Sequence, residues 1–281
     1  MNIEKTKLTE QELADLAWAY QCLEHPSFAA RLSNVIGVPI ERGLQLLPKS
    51  WYRRLDEVAE LSIRKMLELT IAGMAHIPAG PSNDHWHQFW AMGTGAVGGF
   101  LGPLTLLAEL PITTALMLRS IADIAHSQGE DLEQEDARLA CIQVFALGGR
   151  TREDDSADTG YYGLRLTLGL HFSRGVLNVI DTTAASVPLP AGITFVRNIV
   201  ARFGVVFSDK VAAQLVPVAG GISGAMINVA FMGHFQDIAR GHFIVRRLER
   251  KYGVSAIQSE YEELGRRESE AAKSYSPLEG W

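Results

Sequence analysis

Residues 91–118 read AMGTGAVGGFLGPLTLLAELPITTALML, and Glu109 is the only charged residue among them. A second run, residues 211–232, reads VAAQLVPVAGGISGAMINVAFM and contains no charged residue. The first run contains two prolines and two pairs of glycines spaced four residues apart, and the second contains one proline and one such pair. This glycine spacing lets helices approach closely. The sequence therefore predicts an all-α fold, a single compact domain of eight to ten helices with two central glycine-rich apolar helical hairpins.

An uncharged run of 18 or more residues is also long enough to be considered as a transmembrane helix. Two features weigh against this alternative in the first run. Placing Glu109 at the centre of a bilayer would cost about 2.5–3.5 kcal/mol. Each glycine also weakens a helix by about 1 kcal/mol relative to alanine. We therefore favour burial of both runs inside a helical bundle, with an integral membrane protein as the alternative.

Composition narrows the function classes. The chain has 281 residues, and 26 Lys and Arg against 32 Asp and Glu give a formal net charge of −6, which argues against a nucleic-acid-binding protein. Cys22 and Cys141 are too few for a disulfide framework. The first residues, MNIEKTKLTEQE, lack the apolar segment of a secretory signal, so a cytoplasmic location is expected. No phosphate-binding loop, zinc-protease motif or nucleophile elbow occurs, so no cofactor, metal or catalytic residue is predicted.

Local signals mark several helix boundaries. Thr9 and Glu12 form a capping box, and Pro26 is expected to end the first helix near His25. A short helix is predicted between Pro26 and Pro39, and longer helices over residues 50–76 and 104–127, the latter ending at Gly129. The next helix is predicted to begin with Asp131 as its N-cap and to end at Gly148 and Gly149. A polar boundary is predicted over residues 151–160. We expect a helical domain over residues 1–253 and a flexible polar tail over residues 254–281.

Several charged and polar residues adjoin the two apolar runs, and both signs of charge are represented. Because buried charges must be paired, we predict a buried or half-buried network that joins the helices following the runs. The alternative is a small-ligand or metal site, or an enzyme, that uses Glu109, Asp123, His234 and Asp237. The full predicted network consists of Glu109, Arg119, Asp123, His234, Asp237 and Arg240.

A basic cluster follows on the last strongly amphipathic helix. It combines four cations with apolar neighbours, the composition of a helix that lies on an anionic membrane surface. A solvated helix face is the alternative. The candidate membrane-surface contacts are Phe243, Arg246, Arg247, Arg250 and Lys251.

Three blocks of the sequence resemble the EcsC family of bacterial proteins: residues 95–125, 137–149 and 205–253. With the preceding helices, the resemblance covers about residues 10–253. The family has no established enzymatic activity and supplies no catalytic residues. Its namesake is encoded beside the ATPase and membrane subunits of an ABC transporter linked to protein secretion. The resemblance implies a non-enzymatic, membrane-peripheral or transporter-accessory protein whose partner is a lipid surface or a membrane protein; it leaves the oligomeric state open.

Overall fold

The helix boundaries of the chain were obtained from a computed structural model. It describes residues 8–26, 28–37, 39, 41–47, 49–73, 103–149, 160–172, 190–215 and 224–275. Within these ranges the chain is helical and contains no strand, which confirms the predicted all-α class. The helices are α1 (Glu10–Glu24), α2 (Phe28–Ile36), α3 (Glu41–Leu46), α4 (Lys49–Gly73), α5 (Pro103–Ser127), α6 (Glu135–Leu147), α7 (Tyr161–Phe172), α8 (Pro190–Leu215), α9 (Gly224–Tyr252) and α10 (Val254–Tyr275).

Local capping explains where α1 begins and ends. The backbone N–H of Glu12 donates to Thr9 Oγ1 (3.2 Å), and the backbone N–H of Thr9 donates to Glu12 Oε2 (2.9 Å). The helix ends at Glu24, just before Pro26. Both features confirm the predicted capping box and stop.

The prediction for the start of α6 was wrong. Asp131 Oδ1 accepts the backbone N–H of Glu133 (3.0 Å), which closes a short turn rather than capping a helix. The helix itself begins at Glu135, after Gln134, whose side chain makes no capping bond. Asp131 prefers a local turn to a helix start here because its carboxylate also accepts the Gln134 side-chain amide.

Helices α5 and α9 run parallel. Gln236 Nε2 donates to Ser120 Oγ (2.9 Å) in the core, and further along both helices Arg247 Nη1 donates to Gln128 Oε1 (2.8 Å). Helix α8 runs antiparallel to α9, because Lys210 lies over the Phe231 ring (4.7 Å) and the earlier Phe203 contacts Phe235 (5.8 Å). The N-termini of α5 and α9 and the C-terminus of α8 therefore lie at one end of the bundle.

We call this end, defined by Ile112 on α5, Ala213 on α8 and Met226 on α9, the apolar end. It gathers the described parts of both apolar runs. The glycine-rich stretch up to residue 102, the middle of the second run (216–223) and residues 151–159 of the predicted polar boundary (151–160) lie outside the described residues, as do the two predicted hairpin turns.

Two adjacent glycines let α6 end against the core of the bundle. A Cβ atom at Gly149 would lie 2.2 Å from the backbone oxygen of Arg202 on α8. A Cβ atom at Gly148 would lie 2.6 Å from the ring of Phe235 on α9. The predicted stop at these glycines is confirmed, and their missing side chains also allow the close contact of α6 with α8 and α9.

Residues 254–275 form a helix, which corrects the prediction of a flexible tail. Ile257 and Tyr261 on α10 are buried against α1 and α9. The Glu268 carboxylate also pairs with His25 Nε2 at the end of α1 (3.1 Å). Burial of these apolar side chains, spaced four residues apart on one face, stabilises α10 despite its polar composition.

Candidate functional site

Asp237 was predicted to be part of an ionic network, and the structure pairs it with two arginines. Arg31 Nη2 donates to Asp237 Oδ2 (2.5 Å), and Arg240 Nη1 lies 3.4 Å from Asp237 Oδ1. The two guanidinium groups and the carboxylate are half-exposed. The sequence analysis missed Arg31, which comes from the short helix α2 and lies over Gly233 of α9, because nothing local to α2 indicates its distant partner.

His234 faces the core instead of a carboxylate. Its Nε2 atom lies 2.6 Å from the backbone oxygen of Gly148, and its ring packs between Phe28 and Phe235. Burial, assisted by the nearby Arg31 charge, lowers the pKa of His234 to about 4. The ring is therefore neutral at pH 7 and donates its Nε2 proton to the end of α6.

The predicted members on α5 differ in their exposure. Arg119 is exposed and Asp123 is half-buried, whereas the Glu109 side chain lies outside the described residues. The buried polar contact between α5 and α9 is the neutral hydrogen bond from Gln236 to Ser120.

The predicted basic cluster is paired inside the molecule. Arg246 Nε donates to Glu130 Oε1 (2.7 Å), and Arg246 Nη2 donates to Asp136 Oδ2 (2.7 Å). Arg250 also binds Glu130 and caps the carbonyl of Gln128 (2.6 Å). The Arg246 side chain is only 13% exposed and that of Glu130 only 4%, so these ions form a buried network.

Helix α1 neutralises the remaining two cations. Arg247 Nη2 donates to Asp15 Oδ2 (2.6 Å), and Lys251 Nζ donates to Glu12 Oε1 (2.7 Å). The Lys251 contact and the capping bonds of Thr9 lower the pKa of Glu12 to about 2. We call this set of four cations and four carboxylates at the C-terminus of α9 the ionic end.

These pairings change the interpretation of the candidate membrane contacts. Phe243 is fully buried, which corrects its assignment to a membrane surface. The four cations face carboxylates from α1, α6 and the turn between α5 and α6. The sequence could not indicate this because each acidic partner lies more than 100 residues away in the chain.

Four tyrosines that the sequence analysis did not single out lie in contact. We call Tyr20, Tyr161, Tyr162 and Tyr261 the tyrosine cluster. The Tyr261 ring centroid lies 5.0 Å from that of Tyr20, 5.5 Å from that of Tyr161 and 5.3 Å from that of Tyr162. Three different helices, α1, α7 and α10, contribute these rings, so only the adjacent pair 161–162 was visible as a sequence signal.

Polar partners surround the buried part of the tyrosine cluster. Tyr161 Oη lies 2.9 Å from Nδ1 of His242, and Tyr162 Oη donates to Glu249 Oε1 (3.0 Å). Arg165 Nη1 bridges the two, donating to Glu249 (2.8 Å) and to Tyr161 Oη (3.3 Å). Burial raises the pKa of the Tyr161 and Tyr162 phenols and lowers the pKa of His242 well below its usual value.

Helix α1 also reaches the start of α7 beside this cluster. The backbone N–H of Tyr161 donates to Glu24 Oε1 (2.9 Å), so a carboxylate from α1 caps the N-terminus of α7. Burial, together with the nearby charge of Glu24, raises the pKa of Tyr261 on α10. Glu24 therefore ties three helices together at one point.

Two features of the described residues bear on the metal-site and membrane-span alternatives that the sequence left open. Among them, no group of three or more His, Cys, Asp or Glu side chains is arranged to hold a metal ion. Within the same ranges, no helix combines the length and the apolar character needed to cross a bilayer.

Comparison with known proteins gives one match. The model of the EcsC protein family matches residues 32–248, most of the chain. Neither the curated proteins nor the solved structures contain a match to this sequence. The matched range includes α3 to α8 and nearly all of α9, whereas α1 and α10 lie on either side of it.

Proposed function

This chain belongs to the EcsC protein family, and on that basis we propose that it is a non-enzymatic accessory protein that attaches peripherally to the cytoplasmic face of a membrane. The apolar end of the bundle is the proposed attachment surface. The sequence suggested the same peripheral role but with the basic cluster in contact with lipid; here the apolar end makes that contact instead.

The single observation that carries the proposal is the placement of Ile112 and Met226. From the Ser120–Gln236 hydrogen bond, Ile112 lies about 12 Å and Met226 about 15 Å toward the same end, at a rise of about 1.5 Å per residue. Their exposed fractions are 57% and 51%. Single exposed aliphatic residues are common on soluble proteins. Here the two lie within the helical parts of the two apolar runs, which makes this end suited to an apolar surface.

The distribution of charge also favours attachment through the apolar end. At the ionic end, four cations are matched by four carboxylates, so little net positive charge is left to attract anionic lipid. A peripheral protein without such a basic surface must bind through buried apolar area. The apolar end supplies that area.

The experiment compares vesicle binding of the full chain with that of matched variants. Ile112→Gln and Met226→Gln together replace both exposed side chains at the apolar end. Val254→Gln makes the same type of change at the ionic end, where Val254 is 54% exposed. Loss of about 1 kcal/mol for each half-exposed aliphatic side chain predicts roughly 30-fold weaker binding for the double variant.

Sedimentation with zwitterionic vesicles is the direct measurement, and the Val254 control should bind like the original chain. Binding of the double variant that equals that of the control would overturn the attachment surface. A different outcome is that the chain sediments with native membranes, is released from them by a carbonate wash and does not bind pure lipid vesicles. In that case its partner is a membrane protein and not the lipid surface.

A further inference from the structure

We propose that the tyrosine cluster is an electron relay, through which a one-electron oxidant at the surface near Tyr20 removes an electron from the buried Tyr161. This activity is independent of membrane attachment. It requires a continuous path of oxidisable rings and a proton acceptor beside Tyr161, the phenol that is left as the radical.

The path is present in the ring contacts. Tyr20 on α1 is half-buried and lies beside His25, which is itself half-exposed at the surface. The Tyr261 ring lies 5.0 Å from Tyr20 on one side and 5.5 Å from Tyr161 on the other. Rings at these separations are in van der Waals contact, so an electron needs to cross no gap between the surface and the core.

The buried phenol at the end of the path has a base beside it. Tyr161 Oη lies 2.9 Å from His242 Nδ1. A structural role alone would require one hydrogen-bond partner for each hydroxyl, but it would not require the rings to form a chain.

The partners of Tyr161 fix the direction of its proton. Arg165 Nη1 donates to Tyr161 Oη (3.3 Å), and the phenol O–H donates to His242 in the tautomer whose Nδ1 carries no proton, which gives the buried O–H an acceptor. Burial and the charges of Arg165 and Arg246 keep His242 neutral, so its Nδ1 lone pair can accept. An oxidised phenol is a far stronger acid than an imidazolium ion, so transfer to His242 is favourable even at the lowered pKa of this histidine.

The step balances with one electron and one proton. The O–H bond of Tyr161 breaks, an N–H bond forms on His242 Nδ1, and Tyr161 becomes a neutral radical. The electron passes through Tyr261 and Tyr20 to the oxidant, which is reduced by one electron. The Tyr20 and Tyr261 phenols carry the electron and are unchanged at the end of the step.

The test uses the full chain and photogenerated tris(bipyridine)ruthenium(III) as the one-electron oxidant. Freeze-quenched samples are examined by electron paramagnetic resonance. A tyrosyl radical with hyperfine coupling to a histidine ring nitrogen is expected, because Tyr161 is hydrogen-bonded to His242. Tyr161→Phe should abolish this nitrogen-coupled signal.

Tyr261→Phe tests the relay itself, since phenylalanine keeps the ring but is much harder to oxidise. This variant should lose the nitrogen-coupled signal, whereas Tyr52→Phe, at an exposed tyrosine on α4, should retain it. Thermal unfolding of both variants checks that the fold is kept. A radical confined to tryptophan or to exposed tyrosines in the original chain, or an unchanged signal in Tyr261→Phe, would overturn the relay.

Discussion

Replacing Gly149 and Gly169 by alanine should change stability in opposite directions. The Cβ atom added at Gly149 would lie 2.2 Å from the backbone oxygen of Arg202 and 3.1 Å from the Val206 side chain. The Cβ atom added at Gly169, within α7, would meet nothing within 4 Å. The same chemical change therefore produces a collision at one site and none at the other.

The size of each effect follows from these surroundings. Ordinary van der Waals contact requires the end of α6 and α8 to separate by more than 1 Å at Gly149, and a backbone oxygen cannot rotate away as a side chain can. Forcing extra volume into a packed core costs about 1–3 kcal/mol. At Gly169 the substitution removes the entropic cost of a glycine within a helix, which is worth up to about 1 kcal/mol. The two variants should differ by about 2–4 kcal/mol.

Urea unfolding followed by circular dichroism measures this difference. We expect the midpoint of Gly149→Ala to fall and that of Gly169→Ala to rise, with similar slopes for both. Over a chain of this length, about 1 kcal/mol also corresponds to a shift in Tm of roughly 2–4 °C. If Gly149→Ala were as stable as the original chain, the close contact between α6 and α8 would not exist as described.

Three further predictions concern the ionic end, the buried histidine and the last helix. Glu130→Gln should lower the free energy of unfolding in urea by about 3 kcal/mol, because Arg246 loses its buried carboxylate partner. The control Glu57→Gln, in an exposed ion pair, should lower it by less than about 1 kcal/mol. Equal losses for the two variants would contradict the burial of this network. His234 has a pKa of about 4 when folded and about 6.5 when unfolded, so protons bind the unfolded chain preferentially and stability falls as the pH drops through this range. The free energy of unfolding should decrease by about 2 kcal/mol more in the original chain than in His234→Gln between about pH 7 and pH 5, and equal decreases would refute this. Deleting residues 254–281 should destabilise the protein by about 3 kcal/mol or more, since Ile257 and Tyr261 lose their burial; an unchanged Tm would show that α10 contributes nothing.

Local sequence signals predicted most helix boundaries, because a helix boundary depends on residues only a few positions away in the sequence. The capping box at Thr9 and the stop at Gly129, whose φ is +82°, each involve residues within a few positions. The same local reasoning failed at Asp131, where a turn and a helix start compete for one carboxylate. A short polar segment offers no apolar periodicity to decide between them.

The last helix was missed although its signal was present. Ile257, Tyr261 and Leu264 recur at spacings of four and three, which is the apolar stripe of an amphipathic helix. The density of Glu, Arg and Ser around them suggested a disordered tail instead. A narrow stripe suffices here because α1 and α9 already form the groove that α10 fills.

The candidate site could not be predicted in the same way, since its contacts join distant parts of the chain. A run of basic residues looks the same in sequence whether it faces lipid or carboxylates. For Arg247 the deciding residue is Asp15, which is 232 positions away. Composition indicated that the charges needed partners, but only the packing of α1 along α9 shows which partners they have.

Helix α9 connects these observations. Its first turn lies at the apolar end, where Met226 is exposed, and its last turns carry the cations of the ionic end. The family match stops at residue 248, within the ionic end, and begins after α1. The carboxylates of Glu12 and Asp15 that balance Lys251 and Arg247 therefore lie outside the matched range. The segments that flank the matched range thus supply two of the four carboxylates of the ionic end, whereas Met226, at the opposite end of α9, lies within the matched range.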